Sequence, residues 1–510
     1  MSGDAMRAAI LVTGMALSLS TDVLAQAHVH QPASTGEKLG QVHFPTSCKT
    51  SVARQFDRAV ALLHSFEFGA AIKGFEGVLA ADSTCAMASW GIALSRWGNP
   101  MAAGNRTADA LKHGRAALAA ANRHAARATP REQAYIAAVG KLFENAETLD
   151  QRTRVTAYEQ AMEKLAATEK SDPEAQIFYA LSLAAAAPAT DKQYTKQRKA
   201  GSILEPMWAK QPNHPGLAHY IIHAYDYPAL ANDAGRAAHG YAGIAPSTAH
   251  ALHMPSHIFT RTGSWSESID TNRRSIDVAM GTRSIAEALH ASDYAVYAYL
   301  QLGRVDDAKR IVDRLPELAA AFDPNAVTGA APGSAGVFAL AAIPARYALE
   351  REQWAEAAAL VPKPSAFHWT EAMTHFARAL GAAKIGQLAT AKASVDSLAA
   401  FRDRLAEREP YWSEQVAIQH LGAKAWVDLA EGRADSALAT MRAAAAREDA
   451  TEKNAVTPGP LAPAREMLGD MLLQLGRPAE ALVEYQKTLA VEPNRRRAKA
   501  GAVKASGKNS

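Results

Sequence analysis

One signature recurs along the chain: an alanine followed four residues later by a larger apolar side chain, usually just after a glycine-containing or polar break. It occurs as Ala71 with Phe75, Ala308 with Val312, Ala357 with Val361, Ala391 with Val395, Ala437 with Met441 and Ala481 with Tyr485. Residues four apart share one helix face, so each pair offers a small side chain where a neighbouring helix can approach closely and a large one to fill the gap beside it. Breaks such as Leu302-Gly303-Arg304, Glu431-Gly432-Arg433 and Gly476-Arg477-Pro478 supply turns. Six such units predict consecutive helical hairpins. A chain of 510 residues is too long for one compact core, and an array of hairpins answers this because each unit buries its face only against its neighbours.

The last unit carries the fullest pattern, with Leu468-Gly469, Leu472, Ala481, Tyr485 and Pro493 at the spacing of the 34-residue tetratricopeptide (TPR) repeat. The units are unevenly spaced, and no run of alternating β-branched residues flanked by hairpin turns stands out. The expected fold is therefore all-α, a TPR-like α-solenoid of stacked antiparallel helix hairpins with irregular insertions. Hydrophobic residues at 48% and charged residues at 21% exclude a disordered chain. A leader spans residues 26–50, and helical repeats are expected over 51–322. The stretch 323–336, DPNAVTGAAPGSAG, is too rich in Gly, Pro and Ala to continue a helix and reads as a loop or hinge. Further TPR-like repeats fill 337–510.

The N-terminus has the pattern of an export signal. Arg7 precedes an apolar stretch reaching Leu19, and Val23-Leu24-Ala25 fits the small-x-small rule for cleavage after Ala25, giving a signal peptide of residues 1–25 and a periplasmic or secreted product. Cleavage would expose Gln26-Ala27-His28, a type of N-terminus that chelates Cu(II) unless the glutamine cyclises. The mature chain holds two cysteines, Cys48 and Cys85. They are either separate buried thiols or one bridge pinning the leader to the first helices, and an oxidising compartment favours the bridge.

A net charge of +4 gives no field of the kind that nucleic acid attracts, so no nucleic-acid partner is expected. The basic tail from Arg495-Arg496-Arg497 to Lys508 reads as a solvated helix end. Beyond the signal, no apolar run approaches the roughly 20 residues of a membrane span, so no integral membrane segment is expected after cleavage.

Histidine is the residue type that departs from a plain scaffold. Eight of the 17 lie between His214 and His290, where an even spread would put two or three. In HYIIHAYD, His219 and His223 are four apart and Asp226 three further on, one helix face. In HALHMPSH, His250, His253 and His257 repeat that geometry, although Pro255 must bend or restart the helix between them. His290 and Asp293 follow, again three apart. Three successive helical segments thus each carry an imidazole face, and antiparallel packing can bring them together. Either these groups share a transition metal ion, zinc or copper by the softness of imidazole, or they are buried hydrogen-bonding groups that tie helices together. Met254 inside the second motif favours copper. His219, His223, His253, His257, His290, Asp226 and Asp293 are the candidate metal residues, with His64 and His250 as contributors. Tyr220 stands where a HExxH protease has its glutamate.

Trp90 and Trp97, seven apart, read as packing, and His368 and His375 as core or surface groups. No P-loop, GxGxxG, nucleophile elbow or CxxC is present. The segments VHFPTSC, ALLHSFEF, CAMASWGIALS, AHYIIHAYD, HALHMPSHIF and VTPGPLAPARE together resemble a family of exported bacterial TPR-containing proteins. That resemblance implies a TPR-like fold and export, and assigns no catalytic residue. Two functions follow. One is a binding or scaffold module holding a protein, peptide or small-molecule ligand on its concave surface. The other is a metal-dependent enzyme, hydrolase or oxidoreductase, using the histidine cluster, with Asp226 or Asp293 orienting a ligand or acting as general base.

Overall fold

The computed structural model describes residues 36–102 and 105–507. From Lys38 onward the described residues form one compact unit. The export signal, its cleavage point after Ala25 and Gln26-Ala27-His28 lie outside the described residues.

One turn type recurs along the solenoid. Eight times a helix ends on one residue with positive φ, namely Phe66, Gly263, Arg283, Gly303, Glu352, Gly386, Gly432 and Gly476. Each time the next N–H bonds the carbonyl five residues back, as Glu67 to Leu62, Ser264 to Phe259, Ser284 to Ala279 and Arg477 to Leu472 do. That is the Schellman cap, which satisfies the orphan carbonyls of the helix end. A new helix starts within about two residues and runs back along the old one. Pairs such as Ala53–His64 with Phe68–Ala81, Trp265–Gly281 with Ile285–Gln301, and Ala464–Gln474 with Pro478–Val491 are the result. Among the described residues every regular element is helical, and the TPR-like solenoid of stacked hairpins stands as expected.

The small residues lie where helices cross. Ala71, Ala308, Ala357, Ala391, Ala437 and Ala481 are wholly buried, and Gly91 faces the ring of Phe75 so closely that a Cβ would lie 2.4 Å from it. One proposed pair differs. Val361 is 73% exposed because its helix, Trp354–Ala359, stops before reaching it. Trp90 and Trp97 are buried in the N-terminal core.

The leader runs across several hairpins, each time giving a backbone N–H: Lys38 to Ser247 Oγ, Gln41 to the Asn213 carbonyl, Phe44 to Asp57 and Ser47 to Glu132. Phe44 packs against Phe56, Trp90 and Tyr135. The Cys48 and Cys85 sulphurs are joined at 2.03 Å. No helix among the described residues is long and apolar enough to cross a membrane.

Two segments fold over the centre. After Ala321 the chain is irregular until a helix resumes at Gly333, so the last four residues of the Gly/Pro-rich stretch form the first turn of Gly333–Glu350. This loop is held by Gly69 N–H on the Thr328 carbonyl (2.7 Å) and Ala331 N–H on Glu287 (2.6 Å). Between Asp449 and Ala464 a second loop reaches back, its Ala455 and Thr457 carbonyls accepting from Tyr294 Oη at 2.8 and 3.1 Å. The basic tail is not a solvated helix end throughout. Arg495 is wholly buried, forked onto Glu466 and bonded to Tyr297 Oη, and Arg497 pairs with Asp470. An arginine buried among carboxylates fastens the C-terminal hairpin to the central helices.

Candidate metal centre

Two of the histidine helices are short and started by proline, which tolerates the first helical turn because its missing N–H would be unpaired there. Pro215 opens Pro215–Tyr225, which carries His219 and His223. Ala249–His253 carries His250 and His253, and Pro255 restarts the chain as Pro255–Thr262, carrying His257. His290 comes from Ile285–Gln301. All six imidazoles are buried.

They form two triads, each with one ring nitrogen per residue lying within 4.8 Å of the others: His219, His223 and His250, and His253, His257 and His290. In the second triad neighbours fix the ring tautomers. His253 Nδ1 lies 2.7 Å from Asn272 Oδ1, and Asn272 gives its own N–H to the Ser268 carbonyl, so the oxygen must face the ring and His253 Nδ1 carries the proton. His257 Nδ1 donates to Asp226 Oδ2 at 2.9 Å. Both Nε2 atoms are then lone-pair acceptors, yet they face each other at 3.0 Å. Two lone pairs at that separation repel unless a cation lies between or beside them. Carboxylate or amide partners behind imidazoles are the arrangement that orients metal-bound histidines.

In the first triad His219 Nδ1 donates to the His64 carbonyl at 2.6 Å, leaving Nε2 as acceptor. His250 Nδ1 faces Glu287 Oε2 at 3.8 Å, too far for a hydrogen bond. His219 Nε2, His223 Nε2, both nitrogens of His250 and His290 Nδ1 have no hydrogen-bond partner within the protein. Each unsatisfied buried polar atom costs about 1–3 kcal/mol, so these atoms together weigh as much as the whole stability of a domain, about 5–15 kcal/mol. His223, His250, His257 and His290 all border a cavity of about 30 Å³, room for about one water. One water cannot satisfy five nitrogens; a cation would take the lone pairs of His219, His223 and one nitrogen of His250, whose other nitrogen keeps its proton.

Burial, then the neighbouring His223 and His250, hold His219 well below the usual imidazole range. Burial, then His250 and His257, do the same for His223, and burial with His290 and His257 for His253. Burial lowers His290 to about 3. All four rings are neutral at pH 7, the form that ligates.

Asp226 is a positioning group. Burial pushes its carboxyl up, but Lys453, Arg261 and His257 outweigh that and hold it ionised, with Arg261 Nε on Oδ1 at 2.9 Å and Lys453 Nζ 3.6 Å from Oδ2. Asp293 lies apart from both triads, both its oxygens bonded by Arg346 at 3.0 and 3.3 Å. His64 belongs to a third group: its Nδ1 accepts from Tyr220 Oη at 2.9 Å and its Nε2 donates to Glu174 at 2.8 Å, while His214 Nε2 reaches the other Glu174 oxygen at 3.0 Å and His214 Nδ1 has no hydrogen-bond partner within the protein. His239 is on the surface side, bonded to the Gly235 carbonyl. Sequence reasoning missed Asn272, Glu287, Glu67, Arg261 and Lys453. Burial, and then the nearby Glu287, raise Glu67 to about 8, and burial lowers Lys453 to about 8.

The small cavity shares Met101, Ala102, His223, Trp412, Asn454 and Ala455 with a cleft of about 550 Å³, within the size range of small-molecule pockets. Met254 also borders the small cavity.

The fold and centre define a helical-repeat protein with a buried polyhistidine site. No protein-family model matches the sequence, and no curated protein matches it. Among solved structures it is similar to yeast Tom70 (12% identity over 90% of this chain and 95% of that one, TM-score 0.39). It is also similar to the Cut9 tetramer with Hcn1 (11%, 89% and 76%, 0.39) and to the TPR domain of P58(IPK) (11%, 90% and 98%, 0.21).

Proposed function

We propose that this is an exported helical-repeat binding protein whose central site holds a first-row transition ion, zinc or copper, in the imidazoles of His253, His257 and His290, and offers it to a small-molecule ligand entering by the cleft. The single observation that carries the reading is the pair of Nε2 lone pairs facing each other at 3.0 Å, with both Nδ1 protons tied behind them. An all-nitrogen set without thiolate suits zinc and copper, and Met254 at the cavity edge adds a soft donor that favours copper. The cleft's lining includes Tyr227, Tyr411 and Trp412, flat amphipathic surfaces suited to a small organic ligand. Export is supported by the Arg7-to-Ala25 pattern and by the joined cysteines.

Binding ranks ahead of catalysis because neither acidic candidate is free to take a proton from a reactant. Asp226 is occupied by His257 and Arg261, and Asp293 by Arg346. The test is elemental analysis of protein recovered from a periplasmic fraction, with its intact mass. At least one equivalent of zinc or copper, on a chain lacking its first 25 residues, is expected. A chain that stays metal-free even after incubation with Zn²⁺ or Cu²⁺ would overturn the metal reading, and a full-length cytosolic product would overturn export.

A further inference from the structure

The two triads are built on the same plan. In each, one histidine is anchored through Nδ1 to a neutral oxygen: His253 to Asn272 Oδ1 at 2.7 Å, His219 to the His64 carbonyl at 2.6 Å. In each, a second histidine faces a buried carboxylate: His257 with Asp226 at 2.9 Å, His250 with Glu287 at 3.8 Å. In each, the third, His290 or His223, borders the shared cavity. The triads adjoin, with the His223 and His257 ring centroids 6.2 Å apart and those of His250 and His253 6.0 Å apart.

We infer that His219, His223 and His250 hold a second first-row transition ion, so that the centre is a pair of three-imidazole sites sharing one small cavity. His219 Nε2, His223 Nε2 and His250 Nε2 are buried and have no hydrogen-bond partner within the protein. One ring nitrogen of each of the three residues lies within 4.8 Å of the others, and the His219 hydrogen bond through Nδ1 leaves its lone pair on Nε2. Charge is available on both sides, from Asp226 behind one triad and Glu287 beside the other. Glu287 Oε1 is fixed by the Ala331 N–H of the 322–332 loop, while Oε2, 3.8 Å from His250 Nδ1, has no hydrogen-bond partner in the protein. Paired ions in such sites act on one small ligand between them, and the cavity of about 30 Å³ bordered by His223, His250, His257 and His290 fits a single water or hydroxide, reached through the cleft. The third group, His64, Glu174 and His214, lacks the three open imidazole nitrogens, because both nitrogens of His64 and Nε2 of His214 already have partners and only Nδ1 of His214 is left without one.

The inference rests on the preceding reading for the class of metal, and counting ions separates the two. Full-length mature protein is stripped with a chelator and titrated with Zn²⁺ alone and with Cu²⁺ alone, and bound ions are counted by native mass spectrometry. Two ions are expected in the wild type, one in His250→Gln, one in His257→Gln and none in the double variant. Thermal melting checks that each variant is folded, and His223→Gln replaces His250→Gln if that chain does not fold. One ion in the wild type, lost in His257→Gln, would overturn the second site and leave the first. Two ions retained in both His250→Gln and His223→Gln would also overturn it. No ion in any chain would overturn both.

Discussion

Asp226→Asn tests the tautomer argument with a change of one atom. Asp226 now accepts from His257 Nδ1 through Oδ2 and from Arg261 Nε through Oδ1, each at 2.9 Å. An asparagine has one oxygen for these two donors. Arg261 has no acceptor atom, so the amide oxygen must turn to it and the amide N–H₂ must face His257 Nδ1. That forces His257 into the other tautomer, with its proton on Nε2. The proton then points at His253 Nε2, 3.0 Å away, and converts two facing lone pairs into an N–H···N hydrogen bond that closes the metal position. Loss of such supporting partners weakens metal affinity about 10–100-fold, or about 1.4–2.8 kcal/mol. The metal-free chain gains a hydrogen bond worth about 0.5–1.5 kcal/mol, offset by the lost charge partner of Arg261 and Lys453. Competition with a chromophoric chelator reads the affinity, and ¹⁵N-correlated NMR of the histidine rings reads the tautomer. Wild-type affinity in a folded Asp226→Asn chain, or a His257 ring still protonated on Nδ1, would refute the reasoning.

Labelling of the unfolded, unreduced mature protein should find no free thiol, and Cys48→Ser with Cys85→Ser should cost roughly 3–4 kcal/mol for a loop of 37 residues, read from denaturant midpoints; two reactive thiols would refute the bridge. In the metal-free chain the lowered pKa values of His219, His223 and His253 mean that the unfolded state binds more protons below about pH 6.5. Their contribution to stability is full above that pH and lost as pH falls, so the urea midpoint should drop more between pH 7.5 and 5.5 in wild type than in His253→Gln; equal drops would contradict it. Gly263→Ala puts a Cβ 2.3 Å from the Pro493 carbonyl at a φ of +71°, and should destabilise by about 1–3 kcal/mol; an unchanged melting temperature would show that the hairpin does not depend on this close approach.

The hairpin rhythm was readable where its turns carry glycine, as at Gly303, Gly432 and Gly476, and hidden where Phe66, Arg283 and Glu352 take the same left-handed turn, a conformation such residues adopt only when tertiary packing imposes it. The histidine faces were readable from spacing because helical periodicity is local. What serves them was not. Asn272 lies on the next helix, Lys453 comes from a loop about 230 residues downstream of Asp226, and spacing cannot say which of two triads a histidine joins. Glu287 and Glu67 each stand three residues from a singled-out histidine, His290 and His64, so the i, i+3 rule that found Asp226 and Asp293 would have found them too. Asp293 had the same local signal, and its pairing with Arg346 comes from a helix whose position only the fold determines.

The most direct measurement is anomalous diffraction at the zinc or copper edge from crystals of metal-loaded mature protein. A peak at about 2.0–2.1 Å from both His253 Nε2 and His257 Nε2, with His290 completing the set, is the expected result. Saturating metal that leaves no peak between these nitrogens, or places it only at surface histidines such as His239, would contradict the account.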